Sequence, residues 1–68
     1  MQQSIVETLK SVGFQWDTKT IGIKFEDGLW NVNVMVLNED GSRKPVFGFL
    51  KFGTVEEAVD AKNQLSAA

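Results

Sequence analysis

Hydrophobic residues near the start of the chain follow the spacing of an α-helix. Ser4 stands before them and Glu7 follows three residues later, which is the pattern of a capping box, and Gly13 suits the left-handed residue that ends many helices. A helix this short is marginal alone, so its apolar side must pack on another element. The pattern predicts a first helix over about residues 4–12, with the apolar positions Ile5, Val6, Leu9 and Val12.

From Lys19 onward hydrophobic and polar residues alternate, as in a half-buried β-strand. The alternation resumes after Asp27-Gly28, a pair that favours a tight hairpin because both central positions of a type I′ turn require positive φ. The pattern predicts antiparallel strands over about residues 19–26 and 29–37. One face of the pair is apolar and consists of Ile21, Ile23, Phe25, Trp30, Val32, Val34 and Val36.

A third strand is predicted over about residues 44–52, after a polar turn at residues 38–42. Pro45 near its start suits an edge strand, because proline cannot donate a hydrogen bond to a sheet ladder. Hydrophobic residues occupy both faces of this strand, which predicts a β-bulge that switches its faces midway. Phe47 and Phe49 share one face, and Val46, Leu50 and Phe52 share the other.

The last segment predicts a second helix over about residues 54–66. Thr54 and Glu57 form another capping box, and Glu56 adds negative charge where a helix N-terminus favours it. Small residues in its apolar stripe allow close approach to a sheet. We therefore predict one α+β domain over residues 1–68, in the order α-β-β-β-α, with a three-stranded antiparallel sheet and the second helix across one face.

The opposite sheet face is the candidate functional surface. The first helix is the economical cover for its apolar part, and a second copy of the chain is the alternative. Lysines on it could bind phosphate, and its two asparagines could contact adenine edges, although solvated strand charges and polar filler explain them equally well. The residues expected on this face are Gly22, Lys24, Glu26, Asn31, Asn33 and Met35.

The composition excludes several classes of function. The chain contains no cysteine, histidine or tyrosine, so it lacks the commonest catalytic bases, thiol nucleophiles and metal ligands. We predict no enzymatic activity and no cofactor. The absence of cysteine, of a long apolar run and of a signal-peptide pattern predicts a soluble cytoplasmic protein without a membrane partner. A formal charge of −2 counts against nucleic acid as a partner.

A G-I-K strand start, the run Trp30-Asn31-Val32-Asn33-Val34 and the F-x-T-x-E-E-A pattern from Phe52 occur in residues 20–65. This segment resembles the DNA-binding domain of the plant ethylene-response and phage-integrase N-terminal type. The resemblance implies that the open sheet face enters the major groove. It places Lys24, Asn31, Asn33, Lys44 and Lys51 at or near contacting positions. The sequence departs from the family in lacking most of its arginines.

Two RNA-binding families share more limited features. The run from Phe47 to Phe52 is similar to the aromatic strand of the RNA-recognition module, but Pro45 and Val46 replace the basic residue and glycine that begin that motif. The double-stranded-RNA-binding domain has the same element order. Its last helix begins with lysines, whereas this one begins with Val55, Glu56 and Glu57.

Two functions from different classes follow from the sequence. The first is a small non-enzymatic protein-interaction or self-associating domain, expected to be a homodimer; its size and lack of a signal peptide are typical of a phage or bacterial accessory protein. The second is a DNA-binding module that uses the open sheet face. The slight negative charge favours the first. The candidate contacts for either partner are Lys24, Asn31, Asn33, Met35, Lys44 and Lys51.

Overall fold

A computed structural model describes residues 5–67 and confirms the predicted α+β class and element order. The three strands form one antiparallel sheet in the order β1-β2-β3, so β2 is central and the other two strands are edges. The elements are α1 (Ile5–Ser11), β1 (Gly22–Glu26), β2 (Leu29–Leu37), β3 (Arg43–Phe52) and α2 (Val55–Ser66).

The hairpin between β1 and β2 turns at Asp27 and Gly28, as predicted. Their φ angles are +54° and +77°, which is the pair of left-handed conformations that a type I′ turn requires. Phe25 and Trp30 lie directly across the two strands, and their ring centroids are 4.9 Å apart. The local turn chemistry therefore sets the register of this strand pair.

The first strand begins at Gly22, not at about Lys19 as expected from the alternation. The amide of Lys19 donates to Asp17 Oδ1 at 2.8 Å, which forms a turn before the strand. Past the end of β1, the same edge of β2 pairs with an earlier segment of the chain, in which Trp16 forms an antiparallel bridge with Val36. Residues around Trp16 thus extend the sheet on the β1 side.

The first helix ends at the glycine that the sequence indicated. Gly13 has φ +78°, its amide donates to the Lys10 carbonyl at 3.1 Å, and the Phe14 amide donates to the Leu9 carbonyl at 3.0 Å. These two bonds make a Schellman motif. The predicted cap at Ser4 lies outside the described residues.

The second helix begins one residue after its cap, Thr54. The Glu57 amide donates to Thr54 Oγ1 at 3.3 Å, and the Thr54 hydroxyl donates to Glu57 Oε1 at 3.0 Å. The first of these bonds is half of the predicted capping box. In a full capping box the Glu57 carboxylate would accept a hydrogen bond from the backbone amide of Thr54. Here it accepts one from the Thr54 hydroxyl instead.

The core lies between the sheet and the helices. Trp16 anchors the central strand to α2, because its indole Nε1 donates to the Leu65 carbonyl at 3.0 Å in a buried position. Ile5, Val6 and Leu9 of α1 pack against this cluster without being fully buried. The buried hydrophobic residues are Trp16, Ile21, Val32, Val34, Ala58, Ala61 and Leu65.

The third strand contains the predicted irregularity, but its faces do not switch. Val34 pairs with Val46 and Val32 pairs with Leu50, so β3 carries two extra residues over this interval and both flanks keep the same face. The expectation of a face switch is therefore wrong, because an insertion of one residue would reverse the faces of the strand and an insertion of two residues restores them. Gly48, at the centre of the bulge, has φ +68°.

The bulge also explains why hydrophobic residues occur on both faces of β3. Phe49 packs against the core cluster and stacks on Phe14 at 5.0 Å, and Phe14 stacks on Trp16 at 5.8 Å. Phe47 stays outside the cluster with 79% of its surface exposed. One of the two phenylalanines thus adds to the core, and the other is a surface residue.

The turn between β2 and β3 gives a testable pH dependence. Asp40 Oδ1 accepts from the Ser42 hydroxyl at 2.6 Å and from the Ser42 amide at 2.9 Å, and these bonds hold the pKa of Asp40 below its ordinary value of 3.8. Because the folded pKa is the lower one, the stabilising contribution is present above the ordinary value and is lost as pH falls through the folded pKa. Ser42→Ala should raise the pKa of Asp40 in an NMR titration.

Ser11→Ala is the matched control for this titration. The Ser11 hydroxyl donates to the Thr8 carbonyl at 2.7 Å, away from Asp40, so its removal should leave the pKa of Asp40 unchanged. An Asp40 pKa that stays equally low in Ser42→Ala would show that the bond from the Ser42 hydroxyl is not its cause, because alanine keeps the bond from the backbone amide.

Candidate binding surface

Both helices lie on the same side of the sheet. The α1 side chains pack against the buried cluster that includes Val32 and Val34, and α2 covers the same face. Of the two covers that the sequence left open for the opposite face, the first helix is therefore excluded. We call that uncovered side the open face; by strand register it carries Gln15, Asp17, Gly22, Lys24, Glu26, Leu29, Asn31, Asn33, Met35, Leu37, Arg43, Pro45 and Lys51.

A row of Lys24, Asn31 and Lys51 crosses the three strands on the open face. Asn31 is only 7% exposed, and its amide Nδ2 lies 3.0 Å from the carbonyl oxygen of Leu29 and 3.3 Å from that of Glu26. A third carbonyl, that of Lys24, lies at 3.4 Å. The hairpin carbonyls therefore take up the donors of Asn31 Nδ2, which disfavours a bidentate contact with adenine because that contact needs one of them.

Asn33 has a comparable structural role one row further along. Its Oδ1 accepts a hydrogen bond from the Gly48 amide at 2.7 Å. The two extra residues of the bulge leave that amide without a partner in the ladder, and Asn33 supplies one. The two candidate asparagines thus share the expected face, and both make hydrogen bonds that maintain the sheet.

An ion pair crosses the other end of the open face. Arg43 Nη1 on β3 lies 3.1 Å from Asp17 Oδ2, on the far side of β2. The guanidinium must therefore pass over the central strand near Met35, which is half-buried. The Asp17 side chain is 14% exposed, so this pair is better shielded than an ordinary surface pair.

The remaining charges of the open face are more exposed. Lys24 Nζ lies 3.8 Å from Glu26 Oε2, and both side chains are more than half exposed, which makes this a weak pair. Within the described part of the chain, Lys51 is the one open-face cation without an ion pair. Its Cε and Nζ lie beside Gly48 and the Asn31 side chain. The open face thus carries three cations and two carboxylates.

Lys44 does not belong with the other candidates. It pairs with Val36, whose side chain lies on the helix-covered face, so Lys44 lies on the opposite side of the sheet from Lys24 and Lys51. The other five candidate contacts share the open face. A ligand that covers this face would meet Lys24, Met35 and Lys51 but not Lys44.

The sequence did not identify as a surface feature the large hydrophobic side chain that is most exposed among residues 5–67. Phe47 is 79% exposed at the edge of the sheet, and Leu29 is 38% exposed beside the hairpin. Met35 and Leu37 are half-buried on the open face. The signal was the presence of phenylalanine on both faces of β3, but the pattern alone did not show which one is in the core.

The cavities of the described residues are shallow and contain few side chains that could act as catalytic bases, nucleophiles or metal ligands. A groove of about 400 Å³ lies beside the end of α1, lined by Lys10 and by apolar side chains that include Phe14, Trp16 and Leu37. No group of three or more metal-ligating side chains occurs within residues 5–67. The open face is therefore the main candidate for function.

Comparison with protein-family models, with curated proteins and with solved structures found no match to this chain. None of the helices in the described segment is long and apolar enough to cross a membrane.

Proposed function

We propose that this chain is a small non-enzymatic protein-interaction domain that binds its partner through the open face. The observation that carries the proposal is the position of the two helices on one side of the sheet. This arrangement of the helices leaves the opposite face of the three-stranded sheet uncovered. The lack of cysteine in the chain suits a reducing cytoplasm.

The chemistry of the open face suits a protein partner. Half-buried Met35 and Leu37 and the exposed Leu29 give it apolar area, and charged side chains surround them, as in the core and rim of a protein interface. Phe47 is an exposed aromatic anchor of the kind that dominates binding energy when a partner buries it. Full burial of such a side chain contributes about 1.5–3 kcal/mol.

DNA binding is the second candidate, and the row of Lys24 and Lys51 on either side of Asn31 favours it. Other contacts of this face weaken it. Asn31 Nδ2 donates to hairpin carbonyls and Arg43 is paired with Asp17, whereas Lys24 makes only a weak, exposed pair with Glu26. Few cations remain for phosphate contacts, and the chain as a whole carries a charge of −2.

Site-specific photocrosslinking in cells of the source organism tests the proposal. A photoreactive phenylalanine analogue at Leu29, which is 38% exposed on the open face, should give protein adducts of discrete mass, and Lys51→Glu should reduce their yield severalfold. The same group at Val12, which is 75% exposed and follows the helix on the other side of the sheet, is the control and should not give these adducts. Identical adducts from both positions would contradict an interface on the open face.

The DNA candidate is tested separately by fluorescence anisotropy with a labelled 20-base-pair duplex. We expect no binding whose affinity falls steeply with added salt. Binding that weakens steeply with salt and is lost in Lys24→Glu would establish the second candidate in place of the first, because release of counterions gives that dependence.

A further inference from the structure

The exposed side of α2 presents hydrophobic and acidic residues together. Val55 and Val59 are 37% and 42% exposed, and Glu56 and Asp60 are exposed beside them. At 100° per residue these four positions fall within an arc of about 140°. Because all four are exposed, α1 does not cover this arc. We call it the α2 stripe.

The hairpin end of the open face carries the complementary set. Lys24 and Lys51 stand on either side of Asn31, and Leu29 is exposed on the same face beside them. Phe47 is exposed nearby, in the bulge of the edge strand β3. The two cations, with Leu29 on this face and Phe47 on the adjoining edge strand, match two carboxylates and two hydrophobic side chains on the α2 stripe. The two surfaces lie on opposite sides of the sheet, so one molecule cannot bring them together.

We propose that the partner of the open face is the α2 stripe of a second copy of this chain. The proposal rests on the proposed function and names its partner. Lys24 and Lys51 of one copy face Glu56 and Asp60 of the next, while Phe47 and Leu29 pack against Val55 and Val59. The contact is heterologous, with different surfaces on the two copies, so each added copy offers the same two surfaces again.

The size of the α2 stripe sets the expected strength. From Val55 to Asp60 the helix rises only about 8 Å, which is less than the span of a standard interface. The association should therefore be weak, increase with protein concentration and weaken with added salt, since its charges are exposed.

A charge exchange tests this pairing by analytical ultracentrifugation at several concentrations. Variant A is Lys24→Glu/Lys51→Glu and variant B is Glu56→Lys/Asp60→Lys. Each alone should associate at least about tenfold more weakly than the unmodified chain, because like charges then meet across the contact. An equimolar mixture of A and B should regain association with equal stoichiometry, since the acidic stripe of A then meets the basic open face of B.

Thermal unfolding of both variants shows whether they fold. If lysines near the start of α2 unfold variant B, Val59→Ser takes its place, because that side chain is half-exposed and lies outside the first turn. It should weaken self-association of the unmodified chain about tenfold, and Ser66→Ala at the exposed end of the helix should not change it.

Three outcomes would overturn the inference. A chain that stays monomeric at millimolar concentration has no such contact. Loss of association in A but neither in B nor in Val59→Ser would indicate two open faces packed against each other. Failure of the A and B mixture to associate would also contradict the pairing. In each case adducts from Leu29 to another protein would still support the proposed function, whereas salt-dependent DNA binding abolished in A would overturn both.

Discussion

Replacement of Leu65 by alanine should lower the free energy of unfolding by about 2–5 kcal/mol. Leu65 is fully buried at the end of α2, where it closes the core between the helix and the sheet. Its removal leaves a cavity beside Trp16, whose indole Nε1 donates to the Leu65 carbonyl. For a domain of this size each kcal/mol shifts the melting temperature by about 4–8 °C, so thermal unfolding followed by circular dichroism should show a loss of about 10 °C or more.

The effect should be large because the core is small. A chain of 68 residues has a stability on the order of 3–10 kcal/mol, so this single substitution removes a substantial part of it. Val59→Ala is the matched control on the same helix, because Val59 is 42% exposed and its change should stay within about 0.5 kcal/mol. Equal losses from the two substitutions would show that the helix does not pack as described.

The sequence predicted the elements whose signals are local. The Asp27-Gly28 pair specified the hairpin, and the φ angles of both residues show why. Gly13 ended α1 through a motif that needs a left-handed residue. Thr54 capped α2 through a bond to a residue three positions away. In each case the residues that form the signal also form the structure.

Features set by contacts between distant segments were harder to predict. The packing of α1 beside α2, and not across the open face, depends on the shape of a core that includes Trp16 and Leu65. The residues around Trp16 extend the sheet because a hydrogen bond to the carbonyl of Leu65, 49 positions further along the chain, fixes the Trp16 indole. The spacing of hydrophobic residues within the first twenty positions does not predict that contact.

The residues of the candidate site show the same difference between local signals and contacts of distant segments. Alternation placed Lys24, Asn31, Asn33 and Met35 on one face correctly, because β1 and β2 are joined by a tight turn. It did not fix the side on which Lys44 lies, because the turn before β3 is longer. It also could not show that Asn31 is buried, since its three carbonyl partners are supplied by the folded hairpin.

The bulge in β3 connects the stability of the sheet to the shape of the open face. Gly48 gives up a ladder bond, and Asn33 replaces it at 2.7 Å. The same bulge directs Phe49 to the core and leaves Phe47 exposed. A residue at position 48 that cannot adopt a positive φ should therefore affect both folding and the proposed interface.

Gly48→Ala should lower the free energy of unfolding by about 2 kcal/mol. A left-handed conformation costs a residue with a Cβ about 1–2 kcal/mol. The new Cβ would also lie 2.9 Å from Lys51 Cε and 3.0 Å from Asn31 Oδ1. The lysine can move away, but the Asn31 side chain is held by its bonds to the hairpin carbonyls, so part of the clash must be relieved by the backbone.

Chemical denaturation of Gly48→Ala and Gly22→Ala compares two glycines on opposite sides of Asn33. Gly22 has no positive φ and no heavy atom within 4 Å of an added Cβ, so alanine there should be neutral or stabilising by about 0.5 kcal/mol. Gly48→Asn separates the two causes, because asparagine tolerates the left-handed conformation but brings the same Cβ. A Gly48→Asn variant nearly as stable as the unmodified chain would attribute the loss to backbone strain, and one as unstable as Gly48→Ala would attribute it to the contact with Asn31. Gly48→Ala with unchanged stability would show that the left-handed bulge is not required.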